Sequence, residues 1–251
     1  MTGQPDGAPG RAVDLEGIDL VIFDKDGTLI DFHAMWGGWA RELGDRLDAA
    51  VRRPVSGDVF ATIGFDPTSG RVTPGGPLAS DRMAEIQDLV AALLRRWCPS
   101  VAAARRATET AWFAPDPVRL AIPLADLRGL FAHLRADGRR RLAVVTTDDR
   151  SPTDLTLQAL RVRDDVEAMV CGDDGFSVKP APDAVIAICQ ALRSEPARCA
   201  VIGDAPADIA MGRASGAGMV IGVLSGVGTT ADLAAADVIL GSVAELAAPV
   251  R

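Results

Sequence analysis

Leu20-Val21-Ile22-Phe23-Asp24-Lys25-Asp26-Gly27-Thr28-Leu29 is the stretch that decides the fold. Leu20 to Phe23 is short, fully apolar and rich in β-branched side chains, as expected of a strand buried on both faces of a parallel sheet. It ends in two carboxylates one residue apart, Asp24 and Asp26, followed by Gly27, a residue suited to a sharp change of direction. Ligands of open α/β sheets bind at the C-terminal ends of strands. Two acids delivered there are costly to desolvate unless a metal or a reaction uses them. One carboxylate can attack phosphorus as a nucleophile while a second moves protons. A polar turn after a strand would carry the same two acids, so the rest of the chain has to discriminate.

Downstream of residue 124, apolar runs alternate with segments of helical period. The pattern predicts strands over 142–146, 167–170, 199–203, 219–223 and 238–240. It predicts helices over 125–137, from Ser151-Pro152 onward, over 183–192 and over 208–215. Such alternation means a parallel sheet covered on both faces. Residues 33–121 differ: they lack buried-strand runs and carry three helical segments, 36–52, 78–97 and 101–112, with a Gly/Pro-rich connection over 64–77 between the first two. An insertion of that length is not a loop. The expected architecture is α/β, a Rossmann-like parallel-sheet core with an inserted, mostly α-helical cap. Residues 18–32 and 122–251 form the core, 33–121 the cap, and 1–17 a loosely attached tail rich in Gly, Pro and Asp.

The composition narrows the function. Of 251 residues, 48% are hydrophobic, enough for a sizeable core. With 26 basic and 34 acidic residues the net charge is -8, which argues against nucleic-acid binding. Arg139-Arg140-Arg141, the dense basic cluster, reads as a solvated connection. No apolar run approaches the ~18 residues of a membrane span, and the N-terminus lacks the apolar block of a signal peptide. The cysteines at 98, 171, 189 and 199 form no C-x-x-C pair and have no histidine at metal spacing. They read as small buried hydrophobes in a reducing cytoplasm, not as a disulfide framework or a zinc site. Nothing in the sequence sets an oligomeric state.

Parallel strands bring their C-terminal ends to one edge. That edge would collect Asp24 and Asp26, the Thr146 hydroxyl, Lys179 from Ser-Val-Lys-Pro-Ala-Pro-Asp, and Asp204 with Asp208 from Gly-Asp-Ala-Pro-Ala-Asp. Ammonium and hydroxyl groups suit phosphate oxygens, and an oxygen-rich acidic cluster suits magnesium.

From about residue 18 to 248 the sequence resembles the haloacid dehalogenase-like superfamily, in its phosphatase branch. Four motifs in order carry the likeness: Asp24-Lys25-Asp26-Gly27-Thr28-Leu29, Thr146, Lys179-Pro180-Ala181-Pro182-Asp183, and Gly203-Asp204-x-x-x-Asp208. The resemblance implies a small phosphoester as substrate and Asp24 as the nucleophile that becomes an aspartyl-phosphate. It implies Asp26 as acid and then base, with Thr146 and Lys179 contacting the transferring phosphoryl. It implies magnesium on Asp24, Asp204 and the carbonyl of Asp26, with Asp208 close by. Gly27, Thr28 and Thr147 would shape the phosphoryl site.

Two positions depart from the family pattern. Ala205 stands where many relatives carry Ser or Thr. Asp148 and Asp149 follow the threonine motif and read as solvated turn carboxylates, or, if they face the site, as a bias against highly charged substrates. Dehalogenases of this superfamily lack an acid at the position of Asp26, so its presence favours phosphoester hydrolysis. In the cap, His33, Trp36, Trp39 and Arg71 are candidate substrate contacts, although packing between cap and core accounts better for the two tryptophans. His133 reads as a surface histidine. A phosphomutase would use the same motifs, and a receiver-type phospho-accepting domain shares the residue types but places its acid pair before the acceptor strand.

Overall fold

β1 (Leu20–Phe23) is entirely inaccessible to solvent. Fully burying side chains of this kind stabilises a fold by about 1.5–3 kcal/mol each, which makes β1 the natural centre of the sheet. The computed structural model describes residues 13–247. After β1 come α1 (Phe32–Val51), α2 (Ser56–Ile63), a two-residue pairing of β2 (Phe65–Asp66) with β3 (Arg71–Val72), then α3 (Pro77–Ser80), α4 (Met83–Leu94) and α5 (Val101–Ala111). The chain then runs through α6 (Leu127–Leu134), β4 (Arg141–Val145), α7 (Arg150–Ala159), β5 (Val166–Val170), α8 (Asp183–Leu192), β6 (Cys199–Gly203), α9 (Pro206–Ser215), β7 (Met219–Val223) and β8 (Val238–Leu240).

The six long-range strands are all parallel, in the order β5-β4-β1-β6-β7-β8. Phe23 stands opposite Val144 on one side and Ile202 on the other. β1 is where the order reverses, since the chain proceeds outward through β4 and β5 and then crosses to β6. Such a switch point opens a crevice at the strand ends. Helices cover both faces, one packing on Val21, Phe23 and Phe131, the other on Leu20, Ile22 and Val185. This is the expected α/β core.

Helices α1 to α5 form the cap. The chain leaves and returns side by side: Asp31 donates its amide to the Ile122 carbonyl at 2.8 Å, and Leu124 to that of Leu29 at 3.0 Å. Asp31 caps α1 through the amides of His33 and Ala34. The cap has its own apolar centre, in which Trp39 meets Trp36 and Trp112 edge-on at 5.7 and 5.4 Å. Its indole donates to the Phe113 carbonyl at 2.8 Å.

Several expectations are corrected. The segment 64–77 is not a bare connection, since it holds the β2–β3 hairpin, and α2 is an additional helix. The helix expected over 78–97 is broken, because Asp81 and Arg82 are extended (ψ 159° and 151°). Arg140 is no solvated residue: its guanidinium donates to the carbonyls of Leu15 and Leu134. Arg141 opens β4 and its side chain donates to the Leu192 carbonyl. The expected tail lies outside the described residues up to position 12, but Leu15 is buried against the core. Thr146 falls one residue beyond β4. Cys171, Cys189 and Cys199 are buried, Cys98 is half-buried, and all four are free thiols. His133 is exposed. No helix among the described residues is long and apolar enough to cross a membrane.

Candidate active site

Asp24 and Asp26 leave the sheet at the switch point, and the chain turns at once. Gly27 takes φ +89°, and a Cβ there would stand 2.5 Å from Asp204 Oδ2. Only glycine meets both demands, conformation and space. The turn is closed by the Gly27 amide on the Ile30 carbonyl, and the Ser225 hydroxyl donates to the Gly27 carbonyl at 2.7 Å.

Asp24, Asp204 and Asp208 are all buried and present one oxygen each within 4.8 Å of the others. Lys179, from the loop between β5 and α8, places its ammonium 2.5 Å from Asp24 Oδ1 and 2.7 Å from Asp208 Oδ1. The second approach lacks hydrogen-bond alignment, so it is a charge contact. Burial pushes the Asp24 carboxyl up to about 6; Lys179 opposes the shift, while the charges of Asp208 and Asp26 add to it. Burial, then Asp24 and Asp208, raise Asp204 well above the carboxylate range. For Lys179, burial disfavours the charge, but Asp208 and Asp24 outweigh it and the ammonium is held above its usual value.

The acids are oriented by backbone. Asp204 Oδ2 accepts from the Val227 amide at 2.7 Å, and Thr28 Oγ1 donates to Oδ1 at 3.4 Å. Asp208, in the first turn of α9, accepts from the Ala205 amide at 3.0 Å. The Ala205 side chain offers no hydroxyl, so Asp208 caps its own helix. Gly226 lets the loop after β7 lie on Asp204, since a Cβ there would stand 1.9 Å from its carboxylate.

The Thr146 hydroxyl is buried and accepts from the Asp148 amide at 3.1 Å, while Thr147 lines the cleft. Asp148 is not the solvated turn residue expected. Lys25, fully buried, lies 2.7 Å from Asp26 Oδ2 and 3.2 Å from Asp148 Oδ2. Burial raises the Asp148 carboxyl, against the pull of Lys25. Asp149 is exposed.

Between cap and core lies a cleft lined by Asp24, Asp26, Lys179 and Asp208 on one side and Phe32, Trp36, Met83 and Ile86 on the other. Of the cap candidates, Trp36 lines it. Trp39 is spent on cap packing, Arg71 is exposed on the hairpin, and neither lines the cleft; nor does half-buried His33. The sequence reading missed Lys25, Val227 and the cap's apolar lining. Lys25 carried a signal, being a lysine two positions past the end of a fully buried strand and between two acids.

The donor set fits a hard divalent cation. Three carboxylates converge, and Asp24 Oδ2 is buried without any hydrogen-bond partner. The arrangement as a whole offers a nucleophilic oxygen, a neighbouring proton carrier and fixed positive charge at one sheet edge.

The family of haloacid dehalogenase-like hydrolases matches residues 18–216. Phosphoglycolate phosphatase of Rhodospirillum rubrum is 29% identical over 201 residues, 80% of this chain and 78% of that protein. The crystal structure of a predicted phosphoglycolate phosphatase from Haemophilus somnus superposes with TM-score 0.65 at 16% identity, covering 93% of this chain and 98% of the other. A β-phosphoglucomutase from Clostridium difficile gives 0.61 at 17%, covering 91% and 93%. At these identities the two structures speak to the fold. The family match spans most of the chain and every residue of the acidic cluster, and the chain belongs to the haloacid dehalogenase-like hydrolases.

Proposed function

We propose that this protein is a magnesium-dependent phosphatase that hydrolyses a small phosphorylated metabolite through an aspartyl-phosphate. The observation that carries the reading is the contact of Asp24 with Lys179 inside the cluster of Asp204 and Asp208, one residue from Asp26. Asp24 attacks phosphorus, and its partial neutralisation by Lys179 lets a dianionic phosphoryl approach. Asp26 gives a proton to the departing alkoxide and then takes one from the attacking water. Lys179, Thr146 and the backbone at Gly27, Thr28 and Thr147 hold the phosphoryl oxygens. Asp24, Asp204, the Asp26 carbonyl and Asp208 are the groups to hold magnesium, which supplies charge neutralisation when bound. The cap, residues 33–121 in this reading, shields the reacting atoms from water, while residues 18–32 and 122–251 supply the chemistry.

A mutase would need a bisphosphate to start, whereas the phosphatase releases inorganic phosphate from a monoester alone. The five-helix cap between β1 and α6 and the family membership leave a receiver-type role without support. Asp24→Asn preserves shape but removes the attacking charge, so phosphate release from nitrophenyl phosphate should fall by about 10³-fold or more. Near-native turnover by a folded Asp24→Asn protein would exclude the mechanism.

A further inference from the structure

The cleft's leaving-group end combines an apolar wall with a negative charge, and among the described residues no cation of the cap lines it. This observation builds on the phosphatase reading and concerns the alcohol that departs. We propose that the substrate is a monoester of an uncharged, apolar alcohol, and that the cleft rejects phosphates carrying a carboxylate.

Among the described residues Lys179 is the one cation that lines the cleft, and it lies between Asp24 and Asp208; Lys25, buried behind the lining, lies between Asp26 and Asp148. Among the described residues no arginine or lysine of the cap lines this space. What the cap presents is Phe32, Trp36, Leu78, Met83 and Ile86, together with Asp81. Ser80 does not compensate, since its hydroxyl is used on the Gly76 carbonyl at 2.9 Å and on Asp81 Oδ1 at 3.1 Å.

Arg82 follows Asp81 but does not line this space. Its guanidinium donates to the core carbonyl of Phe176 at 2.7 Å, in an adjoining small cleft that shares Thr147 and Lys179 with the first. A carboxylate entering the leaving-group end would meet Asp81 in a partly shielded space and lose water without gaining a counter-charge. An aryl or alkyl group would instead bury area on Trp36 and Met83. The same wall discriminates against the carboxylated ester that the name of the Rhodospirillum rubrum relative specifies.

The test uses the full chain with magnesium and three esters of alcohols: phosphoglycolate, its uncharged isostere phosphoglycolamide, and 2-phenylethyl phosphate. kcat/KM should rise in that order, with charge alone separating the first two by roughly tenfold. Asp81→Asn should narrow the gap between those two several-fold. Phosphoglycolate turned over as fast as its amide or faster overturns the proposal. Loss of such a preference in Arg82→Gln would then identify Arg82 as the carboxylate anchor. Phosphate release in the wrong order defeats the charge inference alone, whereas no release from any ester by the folded protein defeats the phosphatase reading beneath it.

Discussion

Lys25 is fully buried, and the two carboxylates beside it, on Asp26 and Asp148, come from different strand ends. Burial alone would expel its proton, yet the two acids outweigh that and hold the ammonium charged above its usual value. Neither contact has good hydrogen-bond alignment, so the stabilisation is Coulombic. Replacing Lys25 by Met keeps the volume and leaves two neighbouring acids without their counter-charge. Breaking a buried ion pair from one side costs about 3–5 kcal/mol, so the urea midpoint of Lys25→Met should drop with little change in slope. An unchanged midpoint would show that water already screens the trio. Asp24 and Asp26 were legible as site candidates because Thr146, Lys179 and Asp204 with Asp208 follow in order at later strand ends, which a mere polar turn does not require. Lys25 was legible only in part: its place between two acids was visible, but its partner Asp148 comes into view only when β1 and β4 lie side by side.

Strands and helices differ in how plainly they are written. Cys199–Gly203, Met219–Val223 and Val238–Leu240 fall where apolar runs place them, and Asp183–Leu192 where helical period does. Residues buried on both faces leave no ambiguity about their environment. The cap is less legible because its signals are non-local. α2 has no capping side chain of its own; Asp48 of α1 accepts from the amides of Val55 and Ser56 at 2.6 and 2.8 Å and from the Ser56 hydroxyl at 2.9 Å. A capping carboxylate so far upstream escapes any local pattern. Likewise the break at Asp81–Arg82 is set by the Glu85 carboxylate accepting from the Arg82 amide at 3.0 Å, which restarts the helix as α4. Asp48→Ala should therefore cost about 1–2 kcal/mol, the upper range for a lost cap. Thermal unfolding would show it as a lowered Tm, and an unaffected Tm would mean that α2 is held by packing alone.

Folding this chain gathers acids that repel one another, and stability must therefore depend on pH in a definite direction. Burial lifts Asp24 to about 6 and Asp204 well above the usual carboxylate value, so both bind protons more tightly folded than unfolded. The stability Asp24 contributes is complete below the unfolded value near 3.8 and is lost as pH rises through about 6, and that of Asp204 is likewise lost as pH rises. Carboxylates shifted the other way, such as Asp174 beside Arg150 and Asp237 beside Arg213, lose their contribution only at acid pH below that range. Between pH 5 and 7.5 the buried cluster therefore governs this slope, and the metal-free protein should melt lower at pH 7.5 than at pH 5. A cation that binds the native cluster needs those carboxylates deprotonated. It stabilises by mass action, about 2.7 kcal/mol at a hundred times its Kd. Magnesium should thus raise Tm more at pH 7.5 than at pH 5 and close the gap between the two. Melting curves at both pH values, with magnesium and with chelator, make the comparison. An equal magnesium effect at both would mean that the cation does not sit on Asp24 and Asp204, and a metal-free protein less stable at pH 5 would mean that the two acids are ionised without penalty.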